Sequence, residues 1–433
     1  MHKILVFFAS VVMCSTAWAA SQINDTEIER VLNKIIEPLA VAADIPDNRL
    51  KIHIVNDDDF NAFVTNGEDV YVYTGLLKQI KNANALQAVV AHEMGHMIGG
   101  HMVQMRDRMA AEMKRTMLIQ ALGVGLMVAG ANPSLGAGVL GGASGIAQQS
   151  MLAFSRDEER IADNMGVDLM VCAKQNPNGF ITVLEQMNDM TGAMESKINP
   201  NRINHPLTAE RLNNVREYIK KTKPDCTPGE KQKNIYDAEF ELVRAKLIGY
   251  LDTPGQIREK YPYANKSDAA LYARAIANMR GGNLDGARVG VQTLISRMPN
   301  NPYFWELMGD IEYQFGHYDD SVVAYEKSLN LITDAPQIQT ALGLVLTERN
   351  KPGDKIRAIE LCKRALLNEP APLTFWILAR AYADDDPGRA DWAMAEYYAL
   401  RGDTDKSKEY AKRAQKSLRK SDPEYIKSGD LIK

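Results

Sequence analysis

Residues 86–100 read LQAVVAHEMGHMIGG, and this stretch decides the fold. Leu86 to Ile98 has the pattern of a helix, stopped by Gly99 and Gly100. Within it, His92-Glu93-Met94-Gly95-His96 sets two imidazoles at i and i+4, on one helix face and about one turn apart. Two neutral imidazole nitrogens so placed can bind one zinc ion at about 2.0–2.1 Å. Glu93, beside them, can take the proton of an attacking water and later return it to a leaving amine. The chain has 7 histidines, so an HExxH pair that arises by chance is a rare event here.

A zinc ion needs a third protein ligand. Three residues past His96 stands Gly99, but the position where a metzincin carries its third histidine holds Met102. His101 falls one residue early, about 180° around the helix from His92, which suits a structural or outer group. Further on, Ser155-Arg-Asp-Glu-Glu159-Arg-Ile-Ala-Asp163 offers two acids at i and i+4 on a predicted helix. Glu159 could face the metal while Asp163, one turn on, holds the second nitrogen of a ligand imidazole. Taken alone, the pattern fits a solvated charged helix face better.

Around this centre the chain is mixed, then repetitive. Lys51–Val55 and Val70–Tyr73 are β-rich runs. Met117–Ser155 has no charged residue and many glycines, which reads as packed or membrane-interfacial helices rather than a spanning pair. Lys220–Lys233 is a polar linker with Pro224, Pro228 and Gly229. From Ser267 an internal period of 34 emerges: Gly282 and Gly316, Ala287 and Ser321, Gly309 and Gly343. With Trp305, Tyr325 and Ser328 in register, the segment resembles the tetratricopeptide pattern, whose small residues let paired helices cross closely. The third unit carries an insertion at Asn350–Gly353.

The ends and the composition bound the cell biology. His2 and Lys3, the apolar run Ile4–Met13 and Ala17-Trp18-Ala19 read as a secretory signal peptide, which implies an exported protein in an oxidising compartment. Export leaves Cys172, Cys226 and Cys362, with a Cys172–Cys226 disulfide favoured and Cys362 read as core. Over 433 residues, 45% hydrophobic and 24% charged residues exclude a mainly disordered, collagen-like or polytopic membrane chain. A net charge of −4 gives no sign of a nucleic-acid partner.

HExxH, the glycine-rich insert and SRxxExxAD, in that order, resemble the HtpX-like and Ste-type zinc peptidases. Asn61-Ala62-Phe63 with Gly67, Val70-Tyr71-Val72-Tyr73-Thr74-Gly75-Leu76, and His205-Pro206 with Arg211 strengthen the resemblance, which covers about residues 45–215. It implies one Zn2+ held by His92, His96 and Glu159, with Glu93 as base and Asp163 behind the ligands. The fold expected is a zincin-type α+β metallopeptidase domain, mainly α with a small β-sheet, followed by an α-solenoid of tetratricopeptide repeats. The boundaries expected are 1–19 signal peptide, 20–225 peptidase, 226–266 helical linker, 267–420 repeats and 421–433 tail. Asn61, Ala62, Phe63, Val70 and Tyr71 are candidates to bind substrate, with the strand at 70–73 as an edge that an extended peptide joins. His205 is a candidate latch on the metal or an oxyanion donor, with a plain surface loop as the alternative, and Arg211 is a second oxyanion candidate. The periplasmic branch of the family implies misassembled outer-membrane β-barrel proteins as substrates, with the repeats docking substrate or assembly machinery. The competing reading is a repeat scaffold or chaperone-like partner of that machinery with minor or latched proteolysis.

Overall fold

The computed structural model describes residues 22–46, 50–65, 69–101, 156–193, 209–222 and 236–433. The expected signal peptide, the apolar insert, His205 and Cys226 lie outside these residues. The chain divides into two compact units, one of residues 29–241 and one of residues 242–433 with the N-terminal stretch up to Ile28. No helix among the described residues is long and apolar enough to cross a membrane.

A two-residue strand, β1 (Gln22–Ile23), precedes helix α1 (Thr26–Ala42). In the first unit, α1 buries Leu32, Ile35, Ile36 and Leu39, the i, i+3, i+4, i+7 stripe of an amphipathic helix. Strand β2 (Lys51–Val55) runs parallel to β4 (Asp69–Tyr73), and β3 (Ala62–Thr65) runs antiparallel to β4. The strands alternate cleanly. Ile52, Ile54, Ala62, Val64, Val70 and Val72 are buried on one face. On the other, His53, Tyr71 and Phe63 stand opposite one another in register and stack, ring centroids 4.8 Å apart at each step.

This order corrects one expectation. β4 is flanked on both sides, by β2 and by β3, so Val70 and Tyr71 have no free backbone edge to offer a substrate. β3, which carries Ala62 and Phe63, stands at the end of the sheet.

After the short helix α2 (Thr74–Gln79) comes α3 (Ala83–Ile98), capped by the Asn82 side chain on the Ala85 amide and ended at Gly99. Twelve of its residues are buried, because other elements cover it on most sides. Among the described residues of the unit, three more helices follow: α4 (Arg156–Cys172), α5 (Gly179–Ala193) and α6 (Ala209–Lys221). The contact between α3 and α4 depends on missing side chains. A Cβ on Gly95 would lie 2.4 Å from the Ala162 carbonyl oxygen, and one on Gly166 would lie 2.9 Å from that of Ala91. Cys172 is disulfide-bonded.

α7 (Asp237–Leu251) and α8 (Pro254–Lys260) lead into the second unit, which is built of helix pairs. They are α9 (Asp268–Arg280) with α10 (Leu284–Arg297), α11 (Pro302–Phe315) with α12 (Tyr318–Leu331), and α13 (Pro336–Arg349) with α14 (Asp354–Asn368). Then follow α15 (Pro372–Tyr382) with α16 (Pro387–Leu400), and α17 (Thr404–Ser417) with α18 (Pro423–Ile432). The first helices of the first three pairs begin at 268, 302 and 336, so the sequence period of 34 is the period of the fold. The small residues sit at the crossings: Ser321 Oγ donates to the Gly309 carbonyl at 2.8 Å, and a Cβ on Gly309 would meet the Tyr325 ring at 2.9 Å. The insertion turns through two left-handed residues, Asn350 and Gly353. Cys362 is a buried free thiol in this core.

The expected C-terminal tail at 421–433 is a helix, α18, with Ser428 fully buried. Pro423 starts it in the first turn, where the backbone N–H groups have no acceptor within the helix and a missing one is harmless.

Candidate metal centre

α3 brings His92 and His96 to one face, with their Nε2 atoms 3.1 Å apart. α4 lies across that face at the Gly95 contact and delivers Glu159. Its Oε2 is 3.4 Å from His92 Nε2 and its Oε1 is 3.4 Å from His96 Nε2. All three side chains are buried. Bonds of about 2.0–2.1 Å in a tetrahedron set ligand atoms about 3.3 Å apart. The two Nε2 atoms, and each of them with one oxygen of the Glu159 carboxylate, stand near that edge length, and two imidazoles with one carboxylate are a donor set that zinc accepts while keeping a fourth position open. The residues therefore fit a zinc ion. A second group, Glu312, His317 and Asp320, lies in the repeats. Its Glu312 carboxylate is already clamped by Arg288, with Nε and Nη2 at 2.6 and 2.5 Å, so it is an ion-pair cluster.

The layer behind the ligands is equally ordered. Asp163 Oδ1 is 2.9 Å from His92 Nδ1, which leaves Nε2 facing Glu159. Arg211, carried by α6, grips Asp163 with Nε at 2.7 Å and Nη2 at 2.9 Å, and sets Nη1 2.7 Å from Glu159 Oε2. Here Arg211 acts as a positioning residue for both acids. Burial opposes the charge on Asp163, but His92 and Arg211 beside it hold its carboxyl below the usual range. Burial and Arg211 likewise disfavour a charged His92, yet its hydrogen bonds to Asp163 and Glu159 outweigh them and push it up to about 9. An imidazole held so firmly by carboxylates is also a strong electron donor to a metal. His101, 2% exposed, stands with Nδ1 3.0 Å from His96 Nδ1, so it packs behind the second ligand rather than joining the donor set.

Glu93 is buried beside His92. It lines a small cavity together with Asn61 and Ala62 of the β3 end and with Arg211. On the other side of the centre, a cleft of about 350 Å³ opens between α4 and α6, lined by Arg156, Glu159, Asp163, Glu210, Arg211 and Asn214. The structure thus gathers His92, Glu93, His96, Glu159, Asp163 and Arg211 in one place, with Asn61 and Ala62 at its border. It does not bring Val70 or Tyr71 to the cavity. Sequence reasoning missed the α5 residues that complete the cavity wall. Their signal was the apolar spacing Phe180, Val183, Leu184, Met187, which is also the spacing of any packed helix.

Residues 26–219 match the model of Peptidase family M48. The chain is similar to the beta-barrel assembly-enhancing protease of Escherichia coli (strain K12), 24% identical over 398 residues, 90% of this chain and 79% of that protein. It is also similar to the mitochondrial metalloendopeptidase OMA1 of Schizosaccharomyces pombe, 28% identical over 206 residues, 46% of this chain and 56% of that protein. Among solved structures, a thermophilic tetratricopeptide-repeat protein of Thermus thermophilus shares 16% identity over 45% of this chain and 91% of that one, with a TM-score of 0.26. The assignment of repeats rests on the helix pairs themselves. The matched span encloses the whole HExxH centre, so residues 26–219 form a Peptidase family M48 domain with the site of a metallopeptidase.

Proposed function

We propose that this protein is a zinc endopeptidase of the periplasm that cleaves unfolded or misassembled outer-membrane β-barrel proteins, and that its repeats hold the substrate or the assembly machinery. The observation that carries the catalytic part is the buried triangle of His92, His96 and Glu159 with Glu93 beside it. The similarity to the beta-barrel assembly-enhancing protease supports the substrate class.

A zinc ion on that triangle would supply Lewis-acid polarisation of the scissile carbonyl and acidify the attacking water. The chain's own residues do the rest. Glu93 accepts the water's proton and passes it to the leaving amine, which needs a buried carboxylate within reach of both. Asp163 fixes the His92 tautomer, and Arg211 fixes Asp163 and Glu159. β3, at the sheet end, offers backbone donors and acceptors to an extended substrate strand, so cleavage favours segments without stable structure. The test is degradation of an unfolded outer-membrane β-barrel protein against its folded form, with and without a chelator. Chelator-sensitive loss of the unfolded form alone is expected. Equal loss of both forms, or loss that ignores the chelator, would contradict the proposal.

A further inference from the structure

The stretch that leads into α1 belongs to the compact unit of the repeats, and Asp25, Thr26 and Glu27 are buried in it. Neighbouring residues of the stretch address different partners in turn. Asp25 and Glu27 set their carboxylates on the Lys246 ammonium of α7, at 2.8 and 3.1 Å, and Tyr272 of α9 donates to Glu27 at 2.7 Å. Asn24 and Thr26, interleaved with them, donate instead to Glu369 and to Gln337 of α13, and Gln337 donates on to Glu369. Four consecutive side chains are thus read one by one rather than merely covered.

The partners are spaced as the repeats are. Tyr272 and Glu306 stand one period of 34 apart. So do Gln337 and Tyr303, whose ring centroid lies 5.5 Å from the Lys246 ammonium. The stretch therefore runs across equivalent positions on the first helices of three successive pairs, the kind of surface along which a solenoid holds a peptide. Its departure would strand no charge. Lys246 keeps Glu306 at 3.6 Å, and Asp310 is the other acid that remains beside it. A buried ammonium with a carboxylate still in place avoids the penalty of an unpaired charge.

We propose that this side of the repeats is a docking site for a short acidic protein segment, that the chain fills it with its own residues 24–27, and that a partner segment enters only by displacing them. The segment it fits carries two carboxylates two residues apart for Lys246, with an amide or hydroxyl donor next to each for Glu369 and Gln337. The inference rests on the reading of the repeats as a docking arm and is independent of the peptidase centre.

The full-length mature protein is titrated into a fluorescein-labelled peptide of residues 20–32, and binding is followed by anisotropy. Wild type is compared with the double variant Asp25→Lys, Glu27→Lys, which sets two lysines against Lys246 and expels the tethered segment. The variant is expected to bind the peptide saturably and at least tenfold more tightly than wild type, where the tethered copy competes at an effective concentration on the order of millimolar. The peptide that itself carries Asp25→Lys and Glu27→Lys is expected not to bind. A folded variant that binds neither peptide, binds both alike, or binds no better than wild type overturns the proposal. Where the variant does not fold, hydrogen exchange of wild type decides. The Ile28 amide donates to Asp25 Oδ1 at 3.0 Å, and excess peptide, on the order of 10 mM, is expected to speed its exchange at least twofold by displacing the segment. Equal exchange with the original and the lysine-bearing peptide makes the stretch a fixed part of the core and overturns the proposal too. Casein cleavage, with its loss in Glu93→Gln, reports on the peptidase reading separately.

Discussion

Arg211 reaches across from α6 to take both oxygens of Asp163, and Asp163 in turn faces His92 Nδ1 at 2.9 Å. Carboxylates that orient a ligand imidazole typically contribute ten- to a hundredfold to metal affinity. Asp163→Asn is therefore expected to weaken zinc binding by about that factor in a competition titration, with little change in helix content by circular dichroism. Unaltered affinity would mean that His92 is oriented by its packing alone. At this scale the sequence was legible in part. His92, Glu93 and His96 lie within one turn, so helix geometry alone assembles them. Glu159 is 63 residues beyond His96, and its SRxxExxAD context was equally that of a solvated helix face. The grip of Arg211 on Asp163 spans 48 residues and leaves no periodic trace.

The crossing of α3 and α4 converts two short motifs into one centre. Gly95 is the residue that lets α4 approach, since a Cβ there would sit 2.4 Å from backbone of Ala162. Backbone cannot swing aside as the end of a side chain can. Gly95→Ala is expected to push α4 outward, withdraw Glu159 from the histidines and destabilise the unit by roughly 1–3 kcal/mol, as overpacking does. The checks are zinc content and the denaturation midpoint. Full zinc content in a folded Gly95→Ala protein would contradict this account of how Glu159 is placed. Strand order was the weak point of the sequence. The run at 70–73 was recognisable as a strand, but its alternation is the same for a central strand as for an edge, so only the pairing with both β2 and β3 removed it from the substrate role. The segment at 421–433, expected as a tail, holds α18, and Pro423 in the sequence is the start signal of that helix.

The unit formed by the repeats and the N-terminal stretch holds a buried charge cluster that no pattern in the sequence announces. Lys246 of α7 faces Asp25 Oδ2 at 2.8 Å, Glu27 Oε2 at 3.1 Å and Glu306 Oε2 at 3.6 Å. Tyr272 donates to Glu27, and Tyr325 donates to Asp310. One ammonium cannot balance four carboxylates away from water. Burial, opposed by Lys246 and reinforced by the neighbouring acids, pushes Glu306 up to about 8. Burial, against Tyr325 and Lys246, takes Asp310 to about 6. Both groups bind protons more tightly folded than unfolded. Their contribution to stability is complete below the unfolded values and is lost as pH rises through about 6 and about 8. The melting temperature of this unit is therefore expected to fall from about pH 4 up to about pH 8, most steeply below about pH 6 where both acids contribute, and to level off above, by calorimetry. Glu306→Gln, which cannot ionise, is expected to flatten that fall, and an equally steep fall in the variant would place the titration elsewhere. For the molecule as a whole, the claim that matters most is that one buried zinc site with Glu93 as its base hydrolyses peptide bonds. The direct measurement compares the wild-type chain with Glu93→Gln for zinc content by elemental analysis and for cleavage of unfolded casein. The account predicts about one zinc per chain in both proteins and cleavage by wild type alone. Cleavage by the Glu93→Gln protein at the wild-type rate, or a wild-type chain that is active without metal, would contradict it.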